Sequence, residues 1–287
     1  MTSSRFPVAV LLIVSGCTIL AGMDSLAKVL MQSLPPLQVT WARFTFHALI
    51  MLLLFLATGQ SRQCYTHAPK TQLVRGLCMA GVNSTLYMAL MTITLAEATA
   101  IMYLAPIIVT LLAGTLLGEM ITRRHLVAVG LGFLGVLVII RPGFGEFQPG
   151  LLLTLFAAFV LALYFLLTRK VSAVDSNRTS LFYSAVVGAV LLSLLMPFFW
   201  TAPSAKEWLA LVLMGALGAS GHILFIKAYR LQPASELSPW LNAQVLAATV
   251  FSVLWLGDSL DVYFAIGASL IVGAGLMLWW QGRSRTY

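Results

Sequence analysis

The chain of 287 residues is 60% hydrophobic and only 9% charged, whereas a soluble domain carries about 25% charged residues. So little charge cannot cover a water-exposed surface, which excludes a soluble enzyme or binding module and places the protein in a lipid bilayer. The net charge of +8 does not indicate nucleic acid as a partner. Most lysines and arginines fall in short gaps between apolar runs and form no basic patch interleaved with aromatic residues.

Ten apolar segments approach the length of about 20 residues that crosses a bilayer as a helix. We therefore predict an all-α membrane protein with ten transmembrane helices. The first segment also resembles a signal peptide, but its helical pattern continues to Lys28, so we interpret it as a retained span. The predicted spans are 8–30, 38–57, 73–95, 98–117, 125–141, 150–168, 180–200, 208–228, 235–256 and 260–280.

The distribution of basic residues predicts the orientation of these spans. With a cytoplasmic N-terminus, 13 of the 17 lysines and arginines lie on the inner side. The remaining four are Lys28, Arg43, Arg141 and Lys206. Because cytoplasmic loops are enriched in positive charge, we predict a bacterial inner-membrane protein with both termini in the cytoplasm.

An internal repeat predicts how the spans are organised. Residues 76–119 are similar, without gaps, to residues 215–258, which lie 139 positions later. The second copy starts five spans after the first, and an odd number of spans reverses its orientation in the membrane. Inverted repeats of this kind are typical of alternating-access transporters. We therefore predict two inverted five-helix halves, residues 1–142 and 149–282.

Ionisable side chains inside the first two spans need a role, because each costs about 2.5–3.5 kcal/mol near a helix centre. Asp24 and Lys28 lie four residues apart on one helix face. In one interpretation they form an internal ion pair, or Lys28 extends to the membrane surface. In the other they form the polar wall of a cavity. Arg43 either neutralises Asp24 or holds an anionic substrate group, and the structural role is favoured. His47, one turn later, is interpreted as a surface or packing residue.

The repeat selects two further polar candidates. Asn83 and His222 are 139 positions apart, so they occupy equivalent places about ten residues into their predicted spans, near the bilayer midplane. Midplane polar groups between repeats form substrate sites in repeat-built transporters, but they also make ordinary interhelical hydrogen bonds. His222 is in addition a candidate for proton coupling. Aromatic candidates for binding a planar solute at this depth are Tyr87, Tyr103, Tyr164 and Trp240.

Turn residues and glycines make more modest predictions. Glu97 and its counterpart Glu236 begin the second helix of each copy, where capping is favoured over gating. Pro106 loosens span four, and Val245 at the equivalent position predicts that span nine has no such kink. The glycine pattern 130–135 follows no strand and is not a dinucleotide site. Glycines in spans five and ten fit either a packed scaffold or a homodimer face.

Several of these motifs resemble the EamA type of the drug/metabolite transporter superfamily. They are the Ala96-Glu97-Ala98 turn, Pro106, the end Leu117-Gly118-Glu119 of span four, and the end 138–142 of a glycine-rich span. The second half departs from the family pattern, with Leu256-Gly257-Asp258 in place of the usual Gly-Glu. The resemblance implies a central cavity lined by spans 1, 3, 4, 6, 8 and 9.

The first hairpin, 23–28 with 41–47, resembles a bacterial branch that includes riboflavin importers and S-adenosylmethionine carriers. The resemblance makes riboflavin uptake the leading expectation, with an S-adenosylmethionine carrier or an exporter of amino acids and other metabolites as alternatives. No ATP-binding motif is present, so a solute or ion gradient would drive transport. The scattered histidines and cysteines form no metal-binding pattern, no cofactor is expected, and a membrane-embedded enzyme is the most distant alternative.

Overall fold

The computed structural model describes residues 5–117, 123–141, 148–232 and 234–283, and these residues form helices and no strand. The helices occupy all ten predicted spans, as two segments in spans four and nine and as one in each of the others. The bounds are α1 Arg5–Leu30, α2 Pro36–Ala57, α3 Pro69–Ala89, α4 Leu95–Met102, α5 Ala105–Leu117, α6 Arg123–Ile140, α7 Pro149–Val171, α8 Asn177–Phe199, α9 Ala205–Leu231, α10 Ala234–Leu237, α11 Ala243–Leu254 and α12 Val262–Arg283.

Local sequence explains where many helices begin. Proline occupies the first position of α2, α3 and α7, where its missing amide proton is not needed and its fixed φ suits the helix. A capping box starts α4, because Thr94 accepts from the Glu97 amide and the Glu97 carboxylate accepts from the Thr94 amide. The capping role predicted for Glu97 is therefore confirmed.

The outside of the bundle suits lipid. Within the described residues, five helices can cross a membrane by length and composition, namely α1, α2, α7, α8 and α9, and four shorter apolar helical stretches accompany them. Large apolar side chains stand exposed on these helices, such as Leu53, Leu194 and Leu209. Such a continuous apolar exterior is incompatible with water and expected in a bilayer.

Spans four and nine are each broken at the same place in the repeat. Span four changes from α4 to α5 at residues 103–104, and span nine changes from α10 to α11 through a 3₁₀ turn at Ser238–Asn242. Residue 242 lies 139 positions after Tyr103. The prediction of a kink in span four alone is therefore wrong. The second copy breaks without a counterpart of Pro106 because its 3₁₀ turn contains Pro239 at its start.

The two halves pack against each other reciprocally. Gly76 of α3 lies against Val187 of α8, and its repeat equivalent Gly215 of α9 lies against Phe46 of α2. A Cβ added at either glycine would collide with the Cβ of its neighbour. Each third helix of a half therefore rests on the second helix of the other half, as an inverted repeat requires.

These contacts allow a direct test of the packing. We expect Gly76→Ala and Gly215→Ala to lower stability by about 1–3 kcal/mol, because both overpack a filled contact. Gly81→Ala, also in α3, is the matched control, since a Cβ there meets nothing within 4 Å. Thermal unfolding in detergent, followed by tryptophan fluorescence, measures the difference. Equal melting temperatures for all three variants would contradict the reciprocal packing.

The glycines of spans five and ten pack within the scaffold. A Cβ at Gly135 of α6 would lie 2.7 Å from the carbonyl oxygen of Gly267 in α12, and one at Gly267 would lie 2.5 Å from that of Gly135. The backbones of α6 and α12 thus approach closely. The motif residues Gly118 and Glu119, together with Pro142, lie outside the described residues.

Candidate functional site

A buried polar cluster joins the first three helices near the end of α1. Arg43 donates from Nη1 to Asp24 Oδ1 at 3.1 Å and to the Tyr87 hydroxyl at 2.9 Å, and Tyr87 donates to Asp24 at 3.1 Å. Tyr87 is fully buried, while Asp24 and Arg43 are each 8% exposed. Two roles were considered for Arg43, and the structure shows the first of them, an ion pair that neutralises Asp24. Asp24 therefore pairs with Arg43 rather than with Lys28.

Two imidazoles stack beside this cluster and connect the halves. The rings of His47 in α2 and His222 in α9 have centroids 5.7 Å apart and planes inclined by 26°. His47 is buried, so the packing interpretation describes it better than the surface one. Among the described residues, its Nε2 atom has no hydrogen-bond partner. A buried ring nitrogen without a partner is costly unless a ligand or water binds it.

Asn83, the repeat equivalent of His222, makes a different contact. Its amide donates to the Met79 carbonyl oxygen one turn earlier in α3, at 2.8 Å. This back-bond satisfies the side chain inside its own helix. The two equivalent positions are therefore both polar and well inside their spans. Asn83 makes its hydrogen bond within its own helix, whereas the ring of His222 contacts α2.

Tyr103 and Trp240 mark the breaks in spans four and nine. The Tyr103 hydroxyl donates to the Leu241 carbonyl oxygen, and Cys17 Sγ lies 3.6 Å from the same oxygen. A side chain of the first half therefore binds a backbone carbonyl of the 3₁₀ turn in the second half. Trp240, the preceding residue, is 42% exposed.

Tyr164 belongs to a separate polar network at the predicted inner face. Arg75 donates to the Tyr164 hydroxyl at 3.0 Å, to Thr168 Oγ1 at 2.9 Å and to the Ser180 carbonyl oxygen at 2.7 Å. The guanidinium also lies 4.8 Å from the centroid of the Tyr164 ring. This arginine is 2% exposed and ties α3 to α7 and α8. It was predicted only as one of the basic residues that set orientation.

Asp175 extends this network into the loop between α7 and α8. Its carboxylate accepts from the His67 amide at 2.9 Å, from Gln72 Nε2 at 2.8 Å and from the Thr66 hydroxyl. Burial opposes ionisation, but these hydrogen bonds outweigh burial and lower the pKa of Asp175. Asp175 therefore remains a fixed anion that joins the loops of the two halves.

Two ion pairs join the halves at the predicted outer face. Lys28 Nζ lies 3.3 Å from Asp258 Oδ2 and also donates to the Ile93 carbonyl oxygen at 3.2 Å. Arg141, at the end of α6, pairs with Asp261 just before α12. In the sequence analysis, Asp258 was noted only because it replaces the glutamate of the family motif. Its partner is 230 residues away, and spacing along the chain cannot reveal such a contact.

The fold and these polar clusters between two inverted halves define a membrane transporter of small molecules. The chain belongs to the EamA-like transporter family, whose sequence profile matches residues 7–141 and again residues 148–280. This membership confirms the resemblance that the motifs indicated. A crystal structure with a TM-score of 0.67 and 23% sequence identity, aligned over the whole of both chains, has the same fold.

The chain is similar to two kinds of named transporter. The S-adenosylmethionine uptake transporter of Rickettsia prowazekii is 25% identical over 256 residues, covering 89% of this chain and 86% of the relative. The riboflavin transporter of Brucella anthropi is 28% identical over 255 residues, covering 83% of this chain and 87% of the relative. A riboflavin transporter of Vibrio cholerae is 28% identical over 204 residues, covering 68% and 66%.

Proposed function

We propose that the protein imports a small organic metabolite across the bacterial inner membrane by alternating access. The observation that carries the proposal is the contact between the two halves at His47 and His222, next to the buried Asp24–Arg43–Tyr87 cluster. A relative movement of two inverted halves would expose this region to each side in turn. Both termini are cytoplasmic in this proposal, as the distribution of positive charge favours.

The binding site in this proposal combines residues from several helices. Asp24, Arg43 and Tyr87 supply charge and hydrogen bonds, and His47 and His222 supply stacked rings with one unpartnered nitrogen. Asn83 lies one turn before Tyr87 in α3, and Tyr103 lies at the break in span four. Tyr164 and Trp240 are more peripheral, since Tyr164 binds Arg75 and Trp240 is exposed.

Two substrates are proposed, riboflavin and S-adenosylmethionine, because relatives of both kinds match most of this chain. Export of amino acids or other metabolites is the alternative function that the sequence analysis raised. We propose a transporter without catalytic activity, cofactor or nucleic-acid partner. If the protein forms a homodimer, Gly273 and Gly275 of α12 are candidates for the interface. A Cβ at either glycine meets nothing within 4 Å, so a second copy has room to approach.

Uptake by cells that express the protein tests this function. We expect uptake of fluorescent riboflavin or of radiolabelled S-adenosylmethionine above that of empty-vector cells. His222→Ala should lower the rate at least about tenfold, because it removes one of the two stacked rings from the proposed site. Leu209→Ala is the control in the same helix, since Leu209 is exposed on the apolar exterior. Wild-type transport by His222→Ala, at equal amounts in the membrane, would refute this site.

A further inference from the structure

A cavity of about 430 Å³ opens at the predicted outer face, where the Lys28–Asp258 and Arg141–Asp261 ion pairs lie. Its volume lies within the usual range of about 300–1,000 Å³ for small-molecule sites. Five charged side chains line it, namely Lys28, Glu97, Arg141, Asp258 and Asp261. Two are basic and three are acidic, so the lining carries one excess negative charge.

The geometry places one cation and one anion at fixed positions in this cavity. Lys28 Nζ lies 3.3 Å from both carboxylate oxygens of Asp258. The Ser252 hydroxyl donates to Asp258, and the Asp258 amide donates to the Ser252 carbonyl oxygen at 2.9 Å, so this carboxylate is held by its own loop. Gly257 makes the turn before it with a φ of +73°, a conformation that favours glycine.

The pair also joins the two halves, because Lys28 belongs to α1 and Asp258 follows α11. Any opening of the outer face that separates the halves here pulls these charges apart. The side chains are only 20% and 17% exposed, so separation leaves two partly desolvated charges without partners. A ligand with a carboxylate and an ammonium group a few bonds apart would satisfy both at that moment.

We propose that this outer cavity binds the α-amino-acid head group of the substrate, with its carboxylate on Lys28 and its ammonium group on Asp258. This inference rests on the proposed transport function and narrows its substrate class. S-adenosylmethionine carries such a head group and a positive sulfonium, which also suits the excess negative charge. Riboflavin has neither a carboxylate nor an ammonium group.

Binding to purified protein in lipid nanodiscs tests the head-group site with three probes, which are S-adenosylmethionine, 5′-methylthioadenosine and riboflavin. Methylthioadenosine keeps the nucleoside but lacks the head group. Wild-type protein should bind S-adenosylmethionine about 10-fold to 100-fold more tightly than methylthioadenosine, the range expected for charge-assisted hydrogen bonds. In Lys28→Gln this ratio should fall to within about threefold, while the affinity for methylthioadenosine is unchanged and shows that the variant is folded.

Two further variants separate recognition from a purely structural ion pair. Lys206→Gln removes an exposed lysine outside the cavity at the same face and should keep the wild-type ratio. The exchange Lys28→Asp with Asp258→Lys keeps an ion pair between the halves but moves each charge, so it should not restore tight binding. Restoration by the exchange, or a wild-type ratio in Lys28→Gln, would overturn the inference.

The outcome for the head-group site is distinguishable from the outcome for transport. Uptake of riboflavin, without any preference for S-adenosylmethionine over methylthioadenosine in binding, would leave the transport function standing and remove the head-group site. A head-group preference that depends on Lys28, without uptake of either compound, would support the site and refute import.

Discussion

We expect Arg43→Gln to destabilise the protein by about 3–5 kcal/mol and to abolish transport. The substitution leaves the buried Asp24 carboxylate without its cation, and breaking a buried pair on one side typically has this cost. Tyr87 loses its hydrogen bond from Arg43 as well. Thermal unfolding in detergent and substrate uptake at equal expression measure the two effects.

The matched control for this prediction is Arg141→Gln. Arg141 also forms an ion pair with an aspartate, but the side chains of this pair are 39% and 42% exposed, and such pairs contribute about 0–1 kcal/mol. The double variant Asp24→Asn/Arg43→Gln should recover part of the stability lost in Arg43→Gln, because neither charge then remains alone. Equal melting temperatures for Arg43→Gln and Arg141→Gln would contradict the structural role of the cluster.

The second large effect is expected for Arg75→Lys at the predicted inner face. Lysine keeps the charge but lacks the planar fork that reaches Thr168, Ser180 and Tyr164 together. Each buried acceptor left without a donor costs about 1–3 kcal/mol. We therefore expect a much lower melting temperature than for the wild type, although the net charge is the same.

Arg178→Lys is the control for this arginine. Arg178 lies at the same face and, among the described residues, donates to one side chain, Gln60, so its replacement by lysine should change the melting temperature little. If Arg75→Lys and Arg178→Lys melt together, the network around Arg75 does not hold α3 to α7 and α8 as described.

The sequence was sufficient for the features that depend on local pattern. Hydrophobic length predicted the ten spans, the repeat predicted two inverted halves, and the position of Glu97 at a turn before a helix predicted its capping role. Each of these depends on residues that are close in sequence or on a regular offset. The break in span nine was missed, because the prediction compared Pro106 only with Val245 and did not consider Pro239.

The remaining features depend on contacts between distant parts of the chain. Lys28 could pair with Asp24 by helical spacing, yet it reaches Asp258, because packing of α1 on α11 brings that loop closer. Arg75 was predicted to lie at the cytoplasmic end of a span that begins at residue 73. The helix begins four residues earlier, at Pro69, so Arg75 lies in its second turn. There the side chain is buried and packs against α7 and α8.

The reciprocal contacts of Gly76 and Gly215 have a consequence for how the protein is made. Each of these glycines lies against the second helix of the other half, so this contact of each copy is completed only by the other. Two separate genes would need equal production and opposite insertion to supply both partners. Joining both copies in one chain fixes their ratio at one to one. The basic residues near the spans then need to determine only one orientation, that of the whole chain in the membrane.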